Sequence, residues 1–201
     1  MKVEILHSER IFEGFINLDK AKIRFEQFDG TLSPPVTRLN AHRGDAVAVL
    51  LYDSKLKTFT FVQQFRYPVY TTEPDNAWVI EVVAGSVEGG DDLITTVCRE
   101  VHEEVGYHVE PHELIDLGRC YPSPGGTSER IFMYAIDVTD KLRSGGGGGL
   151  AEEAEDIRCV EMDMQTAFDQ VQTGHICDAK TLLTLNWFEK EKWPTIRSRQ
   201  A

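Results

Sequence analysis

Gly85-Ser86-Val87-Glu88-Gly89-Gly90-Asp91, then seven residues, then Arg99-Glu100-Val101-His102-Glu103-Glu104-Val105-Gly106-Tyr107 is the stretch on which the fold turns. Its glycine-rich first part reads as a bend. From Asp92 the pattern becomes helical: Leu93, Val97, Val101 and Val105 recur on one stripe with charges elsewhere, and Gly106 suits the C-terminal cap. Glu100, Glu103 and Glu104 stand at i, i+3 and i+4, so the three carboxylates share one helical face. Like charges at this spacing cost ~0.2–0.5 kcal/mol per pair and call for a compensating cation. Arg99 reaches Glu103 at i+4, which leaves Glu100 and Glu104. Two carboxylates one turn apart, beside a bend with free carbonyls, offer the hard oxygen ligands that Mg²⁺ or Mn²⁺ prefers. The triplet alone would equally suit a solvated acidic helix face, so the residues around it decide.

Upstream, the apolar run Ala46 to Tyr52 and the segment Thr58 to Val62 flank Asp53-Ser54-Lys55, the pattern of a hairpin of buried strands. Val79 to Ala84 reads as a further strand leading into the bend, and Trp78 and Glu81, just before the box, either line the site or support it. From Val3 to about Glu26 apolar and polar residues tend to alternate, as half-buried strands do; Asp29-Gly30 marks a turn, and Pro34-Pro35 sets this region off from the next. This predicts an N-terminal antiparallel meander. Downstream, Ile131 to Ile136 and Ile157 to Val160 suit strands, and between them Ser144 and Gly145 to Gly149 predict a flexible loop. Ala167 to Gln172 and Ala179 to Glu191 suit helices, the second turning Leu182, Leu183, Leu185 and Trp187-Phe188 toward a core. The whole predicts an α+β protein with mixed strands and a C-terminal helix packed back on the sheet.

At 201 residues and 41% hydrophobic content the chain can bury one good core with a small appended sheet. A net charge of -12, with no block of Lys and Arg, argues against nucleic acid or lipid headgroups as partners. Cys98, Cys120, Cys159 and Cys177 form no CxxC pair, which fits reduced thiols in a cytoplasm. His7, His42, His102, His108, His112 and His175 make no pair at metal-ligand spacing. Met1-Lys2-Val3-Glu4 starts no basic head with an apolar stretch behind it, and no later run of about 18 apolar residues occurs, so a soluble, cytoplasmic protein is expected.

Taken from Gly85 to Tyr107, the first stretch resembles the Nudix box, G-x5-E-x7-R-E-U-x-E-E-x-G-U with U a bulky apolar residue; Asp91 stands where that family has Glu, and Tyr107 fills the last U. The resemblance implies the Nudix fold, a mixed β-sheet sandwiched between helices. It further implies an N-terminal antiparallel sheet over residues 1–45, for dimerisation and substrate binding, and a hydrolase domain over 46–201. Glu100 and Glu104 would bind Mg²⁺ or Mn²⁺ together with the carbonyl of Ala84, and Glu103 and Arg99 would orient them.

Beyond the box, Pro122-Ser123-Pro124-Gly125-Gly126-Thr127-Ser128-Glu129-Arg130 resembles the signature of ADP-ribose pyrophosphatases, which implies that Ser123 and Glu129 contact sugar or diphosphate. Gly149 to Ile157 resembles the acidic loop of the same subfamily, with Glu153 aligned to the catalytic base and Glu155 to a further metal ligand. Likeness extends from Phe12-Glu13-Gly14-Phe15 through Arg43-Gly44 and Gln64-Phe65-Arg66 to Asp178-Ala179-Lys180-Thr181. It implies base stacking at Phe15 and Ile16, nucleotide and diphosphate contacts from Arg38 and Arg66, a substrate contact at Ser86, and a homodimer that shares its sites. Ile16 lacks an aromatic face, and Leu39 stands where Glu is frequent. The implied reaction is Mg²⁺-dependent hydrolysis of ADP-ribose to AMP and ribose 5-phosphate. GDP-mannose and UDP-glucose are the alternatives, and a non-catalytic Nudix ligand-sensing domain is a remote one.

Overall fold

The computed structural model describes residues 1–149 and 156–198. Its centre is β4 (Asp45–Asp53), whose middle residues are buried on both faces. Ala48, Leu50 and Tyr52 enter one core while Val47, Val49 and Leu51 enter another, as the two-residue period of a strand requires. Helix α2 (Leu93–Val105) covers the second core with Val97, Val101 and Val105. Helices α3 (Met164–Gln172), α4 (Ala179–Glu191) and α5 (Trp193–Ser198) cover the first with Met164, Phe168, Leu185, Phe188 and Ile196. The sheet is thus sandwiched between helices, and each large apolar side chain buried there contributes ~1.5–3 kcal/mol. Asp92, Asp163 and Asp178 each accept backbone N–H groups at the starts of α2, α3 and α4, which fixes where those helices begin. No helix among the described residues is long and apolar enough to cross a membrane.

Around β4 lie β5 (Thr58–Phe65), β6 (Trp78–Glu81), β7 (Val83–Ser86), β8 (Ile115–Cys120), β9 (Arg130–Asp137) and β10 (Arg158–Asp163), and a four-residue helix α1 (Tyr67–Tyr70) comes after β5. The mixed sheet runs β10-β5-β4-β9-β8, with β6 paired to β5 and β7 paired to β4. Where sequence suggests one strand from Val79 to Ala84, the chain changes partners at Val82. Trp78–Glu81 pairs with β5, and Val83–Ser86 pairs with β4. The Val82 N–H at the break donates to Oγ1 of wholly buried Thr181 at 2.9 Å, so the missing ladder bond is replaced. Strand β8 has no counterpart in the sequence reading: its pairing with β9 shifts register between Asp116 and Gly118, and such a bulge breaks the alternation that would announce a strand.

The chain divides into two compact units, Met1–Asp45 with Tyr121–Arg130, and Ala46–Cys120 with Ile131–Ala201. In the first, β1 (Val3–Phe12), β2 (Asn17–Phe25) and β3 (Val36–His42) form an antiparallel sheet in that order. Half-burial holds for β2, whereas β1 is exposed at every position but Glu4, including Ile5, Leu6, Ile11 and Phe12. Among the described residues it is an edge strand paired only with β2. Tyr121–Arg130 joins this unit because Ala41 N–H donates to Gly126 O (2.9 Å), Ser128 N–H to Ala41 O (3.4 Å), and Arg130 pairs with Asp45 through two bonds of 2.8 and 2.6 Å.

Candidate active site

Helix α2 lies against β7, and at their contact the carboxylate of Glu100 rests on Gly85: a Cβ there would overlap the Glu100 carboxyl group. Glycine at this position lets the Glu100 carboxylate lie against the strand, and a larger residue would displace that carboxylate. Buried Glu104 accepts from the Ala84 N–H at 3.2 Å. Two carboxylates, one turn apart on α2, are thus brought to the Ala84-Gly85 backbone. Ser86, at the end of the same strand, is exposed and pairs with Ala46. Arg99 does more than its spacing suggests, since Nη1 meets Glu103 Oε2 and Nη2 meets Glu100 Oε1, both at 2.7 Å. Burial works against the Arg99 charge, but Glu100 and Glu103 outweigh it and hold its pKa above the usual value. Asp91 is exposed and precedes Asp92, whose side chain starts the helix.

The donor chemistry suits a divalent cation. Glu100 and Glu104 are hard oxygen donors held beside the backbone of β7, and such donors are what Mg²⁺ or Mn²⁺ selects; the bend that the glycines suggest begins only after Ser86. Among the described residues no three His, Cys, Asp or Glu side chains gather as a metal-holding group. Glu155, the remaining carboxylate of the expected ligand set, and Glu153, the expected base, lie outside the described residues.

The far end of α2 is held by residues 143–149. Arg143 Nε donates to Val105 O (2.9 Å), Ser144 N–H to Gly106 O (2.9 Å), Gly148 N–H to Glu104 O (3.0 Å) and Gly149 N–H to Glu103 O (3.3 Å). These donors satisfy carbonyls that any helix end leaves open. Gly147, at φ +63°, passes so close that a Cβ would overlap Glu104 O and lie 2.9 Å from Val105 Cα. The run that composition presents as a flexible loop is therefore docked as far as Gly149, and Gly147 in it serves close approach.

A second cluster surrounds Glu81 at the end of β6. Arg66 binds it side-on, Nε to Oε1 at 2.5 Å and Nη2 to Oε2 at 2.9 Å, and Lys180 makes a short contact to Oε2. Lys180 also reaches Asp178 Oδ1 at 3.0 Å, and Asp178 Oδ2 accepts both the N–H and the hydroxyl of Thr181. Burial pushes the Glu81 carboxyl up, but the Arg66 and Lys180 charges more than offset it and hold its pKa below the usual range. Sequence leaves Glu81 undecided; the hint is that its partners Arg66 and Lys180 fall on the family-like segments Gln64-Phe65-Arg66 and Asp178-Ala179-Lys180-Thr181.

The other expected residues lie in the first unit. Arg43 stands over the exposed Phe15 ring, 5.2 Å from its centroid, and 3.8 Å from Glu129, so Phe15 and Glu129 meet through an arginine that the candidate set omitted. Ile16 is exposed. Arg38 is exposed on β3 and donates to Thr37 O. Ser123 O accepts from the N–H groups of Gly126 and Thr127, both at 3.1 Å, closing the Pro-Gly-Gly turn.

A model of the NUDIX domain matches residues 42–183. This chain belongs to the Nudix family. Its curated relatives include ADP-ribose pyrophosphatase of Escherichia coli (strain K12), 33% identical over 187 residues that cover 93% of this Nudix chain and 88% of that protein. The enzyme of that name from Haemophilus influenzae is 33% identical over 192 residues, covering 93% and 86%. GDP-mannose pyrophosphatase of Escherichia coli (strain SMS-3-5 / SECEC) is 35% identical over 148 residues, covering 73% and 74%. A crystal structure of an ADP compounds hydrolase shares the fold, with TM-score 0.71 over 96% of this chain and 97% of that one at 15% identity. This Nudix protein is a hydrolase of phosphorus-containing anhydrides.

Proposed function

We propose that this chain hydrolyses the diphosphate of a nucleoside-diphosphate sugar, with ADP-ribose as its best substrate. The observation that carries the reading is the convergence of Glu100 and Glu104 on the Ala84-Gly85 backbone of β7. Those carboxylates, with the Ala84 carbonyl and Glu155, would hold Mg²⁺, which neutralises the diphosphate and lowers the pKa of attacking water. Arg99 fixes Glu100 and Glu103 through its two 2.7 Å contacts, so the helix face keeps its geometry as charge changes beside it. Arg66 supplies a planar donor for the diphosphate. Glu153 takes the proton of the attacking water. Arg38, Ser86, Ser123 and Glu129 bind the nucleotide and sugar, and Phe15 stacks on the base beside Ile16.

ADP-ribose ranks first because the relatives bearing that name match 93% of the chain, while the GDP-mannose pyrophosphatases match 73%. Ser123 to Arg130 also carries the run seen in that subfamily. GDP-mannose is the second reading, favoured by its relative's 35% identity. The enzyme acts as a homodimer, because β1 leaves Ile5, Leu6, Ile11 and Phe12 exposed on a sheet edge that no other described strand covers. A monomeric mass by light scattering at micromolar concentration would remove the dimer. Its four free cysteines suit a reducing cytoplasm.

The test is product release from ADP-ribose, GDP-mannose and UDP-glucose with Mg²⁺, read with a phosphatase that frees phosphate only from the cleaved diphosphate. A tenfold lead for ADP-ribose, about 1.4 kcal/mol in transition-state discrimination, supports the ranking. A lead for GDP-mannose reverses it, and no cleavage of any of the three defeats the reading.

A further inference from the structure

Arg66 spans a steep change in environment. Its own side chain is 38% exposed, while the Glu81 carboxylate it grips is 3% exposed. A side-on pair uses the Nε and Nη2 edge of the guanidinium, and the fork is planar, so the direction of the Nη1 edge depends on where Glu81 points. Glu81 is in turn oriented by Lys180. That ammonium is 12% exposed and lies between Glu81 and Asp178, so it is engaged on both sides and withdrawn from solvent. Lys180 is thereby committed to the protein rather than to a substrate.

The start of α4 also holds the backbone next to Glu81. Asp178 takes the N–H and hydroxyl of Thr181, and the Thr181 oxygen takes the N–H of Val82. One helix terminus thereby fixes the Glu81 carboxylate through Lys180 and the next peptide through Thr181. Without the ammonium, Glu81 and Asp178 would face each other as like charges in a largely dry pocket, an arrangement relieved by rotating or protonating Glu81. Either response releases the side-on grip on Arg66.

We propose that Lys180 is a positioning residue for diphosphate hydrolysis: acting through Glu81, it sets the orientation in which Arg66 receives the diphosphate. This rests on the function proposed above, and on Arg66 as its diphosphate donor. Asp178-Ala179-Lys180-Thr181 thereby acquires a role, as the clamp that aims an arginine from the far side of a buried carboxylate.

The test is a double-mutant cycle on the full-length protein with Lys180→Met, Arg66→Met and the pair. Binding of inorganic pyrophosphate is measured by calorimetry in Mg²⁺, and kcat and KM are measured on the best of the three sugar nucleotides. Each single variant should weaken pyrophosphate binding by roughly tenfold, the pair should be no weaker than Arg66→Met alone, and Lys180→Arg should recover most of the loss. A purely structural role for Lys180 would lower thermal stability without that non-additivity. If Lys180→Met does not fold, Glu81→Gln, a neutral side chain of the same size, replaces it in the same cycle. Wild-type affinity in the Lys180 or Glu81 variant, or losses that multiply in the pair, overturns the proposal. So does an Arg66→Met variant that binds pyrophosphate normally. Hydrolysis by the unaltered enzyme stands apart from these outcomes and reports on the diphosphate reading by itself.

Discussion

The two ends of α2 are built in opposite ways. Its start is local: Asp92 accepts from the N–H groups of Ile94 and Thr95, all within four residues. Its end is remote, since Val105, Gly106, Glu104 and Glu103 give their carbonyls to Arg143, Ser144, Gly148 and Gly149. The helix that presents the paired carboxylates therefore has one end set by its own sequence and one set by a tertiary contact. Accuracy at Glu104 depends on the second, because the backbone carbonyl of that residue is itself one of the anchors.

Four experiments probe this contrast, and the first separates chemistry from frame. Glu104→Gln should keep the fold and lower kcat by roughly 10²–10³-fold or more, the scale of losing one electrostatic contact at developing charge. Near-normal turnover in that variant would remove Glu104 from the site. Gly147→Ala should damage the frame instead, lowering unfolding free energy by roughly 2–5 kcal/mol through left-handed strain and overlap with Glu104 O. Turnover should fall with stability there, and a denaturation midpoint like the wild type's would show that the strap gives way easily.

The remaining two effects are smaller. Arg143→Met should cost roughly 1–2 kcal/mol by freeing Val105 O, read from urea unfolding. Acid should act on one end alone. Bonds from the Thr95 backbone and hydroxyl hold the Asp92 carboxyl below its usual range, so this cap is intact above about 3.9, the unfolded value, and is lost as pH falls through the lower folded one. The amide shifts of Ile94 and Thr95 should move in that window while those of Gly148 and Gly149 stay. Simultaneous movement at both ends would contradict the division.

The same division explains what could be read from sequence. The both-faces burial of β4, the stripe of α2, Asp92 before it and Gly106 after it, with φ +74°, are local patterns, and the structure contains them. So is the i, i+4 relation that brings Glu100 and Glu104 to the backbone of β7. The partner change at Val82 escapes such a reading because its cause, Thr181, lies 99 residues away. The Glu81 cluster escapes for that reason too, as its lysine sits beyond the last core strand. A glycine run looks like slack in composition, and only the packing of Gly147 on Glu104 reveals it as contact.

The Val82–Thr181 bond has a further use. A buried amide whose acceptor is a side-chain oxygen of another element can trade its proton with solvent only when that element departs. The deuterium uptake of Val82 is thus a clock for the undocking of α4 from the sheet, readable in the resting enzyme one residue from Glu81.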